Sequence, residues 1–74
     1  MEITVKLFAS LRKNRFSEKI HTCPDGFTVS MLIDALSLPR KDVTIVFINN
    51  RHASFDQKIR EGDTVSFFPA TGGG

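Results

Sequence analysis

The 74-residue sequence has no tryptophan, no tyrosine and a single cysteine, Cys23. One cysteine excludes an intrachain disulfide, and with only His21 and His52 beside it no thiol-rich zinc site can be assembled. A chain this short hides only roughly 60% of the surface its unfolded form exposes, so it holds one core and has little room for a deep substrate cavity. Without covalent or metal staples, the fold must rest on packing alone. No apolar run is long enough to span a bilayer. The opening Met1-Glu2-Ile3-Thr4 alternates like a strand instead of placing a charged segment before an apolar one, so no signal peptide is expected. A free thiol and no leader lead us to expect a cytoplasmic protein.

An excess of charge of one sign is also missing. Formal net charge is +2, with both signs mixed along the chain. The densest basic group, Arg12, Lys13 and Arg15, reads as a solvated turn. It lacks the basic density and interleaved stacking aromatics of a nucleic-acid face, so no nucleic-acid or membrane partner is expected. His21 and His52 read as solvent-exposed, and Cys23 as a small semi-buried side chain with no activating base. Asp56, Glu61 and Asp63 fall in turns and lack the pocket that acid–base chemistry requires. No side-chain constellation marks an enzyme, and no metal ligand set or bound cofactor is expected.

What is present is an ordered series of apolar periods. Ile3, Val5 and Leu7 alternate with polar residues over 2–8, the signature of a half-buried strand, and Phe8 falls on the polar side. Residues 17–22 read as a second, weaker strand with Ile20 as its apolar anchor. Pro24-Asp25-Gly26 is a turn. Thr28 stands at a helix N-cap position, with Phe27 and Leu32 spaced as a hydrophobic staple. Val29, Leu32, Ile33 and Leu36 form one apolar helix face, and Pro39 predicts an end near Ser37 or Leu38. Residues 43–48 form the most apolar strand, 51–55 a short edge strand, and 64–68 the last strand. The order predicts an α+β domain of β-grasp type over 1–69, a mixed sheet with one main helix packed across it.

Two features point to function. Residues 70–74 continue from Pro69 as a glycine-rich tail. Glycine, with no Cβ, suits a chain end that must enter a narrow channel of another protein. Gly72 to Gly74 is not a phosphate-binding loop, because no Lys-Ser/Thr follows and no helix begins. The second feature is the outer sheet face. Alternation puts Phe8 and Phe68 away from the helix, together with one of the two sets of the central strand, either Ile45 and Phe47 or Val46 and Ile48. A contiguous apolar patch there marks an interaction surface.

Leu7-Phe8-Ala9-Ser10-Leu11-Arg12, and the closing run from Glu61-Gly62-Asp63-Thr64 through Val65-Ser66-Phe67-Phe68 to Pro69-Ala70-Thr71-Gly72-Gly73-Gly74, together resemble the MoaD/ThiS family of ubiquitin-like sulfur carriers. The likeness is nearest to the MoaD branch, the small subunit of molybdopterin synthase. The resemblance implies a protein without catalytic side chains, whose Gly74 carboxylate, next to Gly73, is adenylated by an E1-like adenylyltransferase using ATP and magnesium. A sulfur donor then converts it to a thiocarboxylate, and the tail delivers sulfur inside the large synthase subunit. It also implies a partner-binding set of Phe8, Phe68, Pro69, Thr71 and Gly72, with Arg12 as the basic residue after the first strand. Two positions depart from the MoaD pattern: three terminal glycines instead of two, and His52 where an apolar contact is usual. The other readings are a ThiS-like carrier for thiamin synthesis, a modifier joined to lysines through its terminal glycine, and a binding module.

Overall fold

The computed structural model describes residues 1–70 of the chain. Five strands form one mixed sheet: β1 (Glu2–Leu7), β2 (Glu18–Thr22), β3 (Ile45–Ile48), β4 (Arg51–His52) and β5 (Thr64–Phe68), in the order β2-β1-β5-β3-β4. The central pair β1 and β5 is parallel, and the other three pairs are antiparallel. The one α-helix among the described residues, α1 (Val29–Ala35), supplies Val29, Leu32 and Ile33 to a core shared with Ile3, Val5, Leu7, Val46, Ile48, Val65 and Phe67. This is the expected β-grasp arrangement. Alternation decides the faces: every second residue of β1, β3 and β5 is buried against the helix,.

Helix α1 is closed at both ends by local chemistry. The Thr28 hydroxyl accepts from the Met31 N–H at 3.2 Å, as the N-cap pattern predicts,. The N–H groups of Val29 and Ser30 donate to the carbonyls of Gln57 and Phe55, so the first turn has no free donor among these three,. The helix ends earlier than Pro39 suggests. Ser37 adopts a left-handed conformation, φ 55°, and Ser37 and Leu38 donate back to the carbonyls of Asp34 and Ile33. This is a Schellman closure, which a proline-based reading cannot see.

Three other expectations are corrected. Ile20 is not an inward anchor: it pairs with Thr4 on the outer face and is 66% exposed. The inward positions of β2 are Lys19 and His21, opposite Val5 and Ile3. The expected edge strand over 51–55 shortens to Arg51–His52, after which Ala53 is buried and donates to the Val46 carbonyl. Residues 43–44 precede β3, with Val43 closing a 3₁₀ turn over Arg40–Asp42. The polar stretch after β1 also contains a 3₁₀ turn, Ala9–Arg12, that buries Leu11.

The far end of the sheet is tied by one side-chain pair. Asn49 and Asn50 both have positive φ, 52° and 68°, and make the two-residue β3–β4 hairpin turn,. The Asn49 amide donates to Asp63 Oδ1 at 2.8 Å and accepts from the Thr64 N–H at 2.9 Å, while Asp63 Oδ2 accepts from the Arg60 N–H. Gly62, at φ 83°, lets the chain turn there and donates to the Glu2 carbonyl,.

Candidate functional site

The outer sheet face is built by register. Leu7 pairs with Phe67, and the Phe8 N–H donates to the Phe67 carbonyl, so Phe8 stands beside Phe68. Ala9 then takes φ 52° and turns the chain into the 3₁₀ turn, leaving Phe8 at the rim of the sheet. Across β5, Phe68 pairs with Ile45, and the Thr44 N–H donates to the Phe68 carbonyl, which fixes the strand where Pro69 begins.

The rings follow from this pairing. Phe8 and Phe68 stack with centroids 4.4 Å apart and planes 10° from parallel. Phe47 meets Phe68 edge-on at 5.5 Å, and His52 meets Phe47 edge-on at 5.8 Å. Such offset and edge geometries match the ring quadrupoles and add to the burial itself. Phe8, Ile45, Phe47 and Phe68 are all half-buried, so each keeps surface for a partner. Of the two sets left open for the central strand, Ile45 and Phe47 face outward, and Val46 and Ile48 are core.

Lys6 lies on the same face, in register with Ser66 and Phe47. Lys6, Phe8 and Arg12 border a small cleft of about 230 Å³ with Ser17 and Glu18. The structure therefore brings together Phe8, Phe68, Arg12 and the start of the tail at Pro69. Lys6, Ile45, Phe47 and His52 join them. His52 is exposed as expected, yet its ring edge extends the aromatic row, a contact that needs the Phe47–His52 pairing to be visible. Thr71, Gly72, Gly73 and Gly74 lie outside the described residues. An aromatic centre with cationic groups at its edge has the makeup of a protein-docking surface.

Cys23 is buried within the core, where burial pushes its thiol pKa up; the nearby amino terminus opposes this, and Asp25 and Glu61 reinforce it. It is a packing residue. No helix among the described residues is long and apolar enough to cross a membrane.

The fold is that of the ubiquitin-like β-grasp proteins, with a half-buried aromatic cluster where the last strand ends. The ThiS family model matches residues 5–74, and the chain belongs to that family. No curated protein matches the sequence. Among solved structures, a Pyrococcus furiosus protein described as molybdopterin converting factor subunit 1 superposes with a TM-score of 0.78 at 23% identity, covering 96% of this chain and 99% of its own. Small archaeal modifier protein 1 of Haloferax volcanii gives 0.75 at 20% identity, covering 95% and 98%. The complex of subunits 1 and 2 of the molybdopterin-converting factor of Helicobacter pylori contains a chain that gives 0.66 at 18% identity, with both chains covered in full. At these identities the likeness establishes the shared fold.

Proposed function

We propose that this protein is a sulfur carrier that delivers sulfur to the pterin precursor in molybdopterin synthesis, with the Gly74 carboxylate as its working group. An E1-like enzyme, using ATP and magnesium, transfers AMP to that carboxylate and releases pyrophosphate. A sulfide equivalent attacks the acyl carbon and displaces AMP, leaving a thiocarboxylate. The observation that carries this reading is the Phe8–Phe68–Phe47 cluster at the end of β5, beside the point where the glycine tail departs. A partner seated on these rings lies next to Pro69, the residue from which the glycine-rich tail continues in the sequence. Family membership and the likeness to a molybdopterin-converting subunit held in a two-subunit complex support the same reading. In it, the protein works in the cytoplasm as the sulfur-donating, non-catalytic partner of a larger synthase subunit.

The test is intact mass spectrometry of the protein with ATP, magnesium, a candidate activating enzyme and a sulfide source. A gain equal to sulfur replacing oxygen, lost on deletion of Gly74, supports the carrier chemistry. Transfer from that species to a pterin precursor in the presence of a large synthase subunit supports the molybdopterin assignment. Transfer to a thiazole precursor instead moves the protein to the thiamin branch.

A second reading is favoured by the likeness to small archaeal modifier protein 1. The same activated carboxyl can be attacked by a lysine amine, giving an isopeptide and no sulfur transfer. Lysine-linked conjugates in cell extract, dependent on Gly74, would select it.

A further inference from the structure

A groove of about 670 Å³ opens at the end of the sheet opposite Phe68, lined by Ile48, Asn49, Arg51, Lys58, Arg60 and Asp63, among others. Arg51 pairs with Ile48, whose side chain is core, so Arg51 sits on the helix side of the β3–β4 edge, away from the aromatic face. Arg51, Lys58 and Arg60 come from a hairpin, a loop and a turn. All three are exposed, and among the described residues none is in a salt bridge. Asp63 is the one carboxylate lining the groove; it pairs with none of the three cations, accepting instead from the Asn49 amide and the Arg60 N–H, and one negative charge against three positive ones leaves the groove net positive. Those bonds also fix the groove's wall.

We propose that this groove is a docking surface for an acidic segment, a run of Asp and Glu side chains, on a partner protein. Three cations on a fixed frame raise the local concentration of such a segment and speed its capture. A free phosphate fits less well. The nearest helix start offers no cradle, since the Val29, Ser30 and Met31 N–H groups already have protein acceptors,. Single-stranded nucleic acid fits less well too, because no aromatic ring lines the groove for base stacking,. The groove lies about 16 Å from the end of β5, taking about 3.3 Å per residue over Asp63 to Phe68. A partner can therefore hold it while the aromatic face and the tail are engaged elsewhere. The proposal does not depend on the fate of the Gly74 carboxylate.

The test is an NMR titration of the isotope-labelled full chain with a short peptide of alternating Glu and Asp. Shifts centred on the amides of Arg51, Lys58 and Arg60 are expected, with affinity falling on going from about 50 mM to about 500 mM salt. The variant R51E/K58E/R60E should weaken binding at least about tenfold, and K13E/K41E, at exposed lysines outside both surfaces, should leave it unchanged. Should the reversed triple variant lose its folded spectrum, R51Q/K58Q/R60Q carries the same test. Shifts centred on Lys6 and Arg12, unchanged binding by the triple variant, or no shifts at all would overturn the proposal. An equal or stronger response to inorganic phosphate or to a single-stranded oligonucleotide would overturn it in favour of that ligand.

Discussion

The rings of Phe8 and Phe68 lie face to face, 4.4 Å between centroids, although the two residues come from opposite ends of the chain. The parallel pairing of β1 with β5 puts them side by side on the face away from α1. A stacked pair of this kind contributes about 0.5–1.5 kcal/mol beyond area burial. A double-mutant cycle of Phe8→Ala and Phe68→Ala, read by denaturant unfolding, should return a coupling in that range. A coupling of zero would mean that the stack is not maintained in solution.

The same face should matter more for binding than for folding. Phe68→Ser keeps the strand's backbone pairing and removes the ring that touches both Phe8 and Phe47. Truncating an aromatic hot spot of a docking surface costs about 2 kcal/mol or more of binding, roughly a thirtyfold loss of affinity. We expect that loss for the proposed activating enzyme by calorimetry, with a folded spectrum retained. Affinity equal to wild type would move the partner surface off these rings.

Much of this face can be read from alternation alone. Phe8 and Phe68 fall out of phase with the inward residues of their strands, and that is enough to put both outside. The choice between Ile45/Phe47 and Val46/Ile48 cannot be made that way, because both sets are apolar. It depends on which residues the β5 register opposes: Val65 and Phe67 take Ile48 and Val46 inward. Ile20 misleads for the converse reason. The strand has one large aliphatic residue, and pairing with Thr4 turns it outward regardless of hydrophobicity. His52 joins the aromatic row through a cross-strand neighbour, which no local pattern encodes. The groove at Arg51, Lys58 and Arg60 gathers charges from separate segments, so the sequence shows them only as scattered basic residues.

Asn49 and Asp63 form the clamp at the other end of the sheet. Asp63→Ala removes the acceptor of both the Asn49 amide and the Arg60 N–H. Leaving partners of a charged acceptor unsatisfied costs about 1–3 kcal/mol, less where water replaces it, and these groups are exposed. We expect a loss near the lower end, measured as a lower denaturant midpoint with unchanged slope. Hydrogen exchange at the Thr64 amide, bonded to Asn49 Oδ1, should quicken at the same time.

The helix closure offers a stabilising change. Ser37 pays the left-handed penalty at φ 55°, in a position where glycine has no Cβ to clash,. Ser37→Gly should raise stability by about 0.5–1 kcal/mol, the left-handed cost less glycine's entropy in the unfolded chain. A fall in the thermal midpoint would show that the serine side chain contributes something the closure does not require.

Cys23 gives the pH dependence. Its burial raises the thiol pKa in the folded chain above the unfolded value, so the unfolded chain ionises first as pH rises,. The native state then binds more protons than the unfolded one, and stability falls with pH. The contribution is fully present below the unfolded thiol pKa, about 8.5, and is lost as pH climbs through the folded pKa. Unfolding free energies of wild type and Cys23→Ala, measured from neutral to alkaline pH, should converge, because only wild type has a thiol to titrate. The buried thiol should also react slowly with a disulfide reagent at neutral pH, at a rate set by opening of the fold. Parallel pH profiles for the two proteins would mean that the thiol is as solvated in the folded chain as in the unfolded one, and that the Cys23 region opens readily around it.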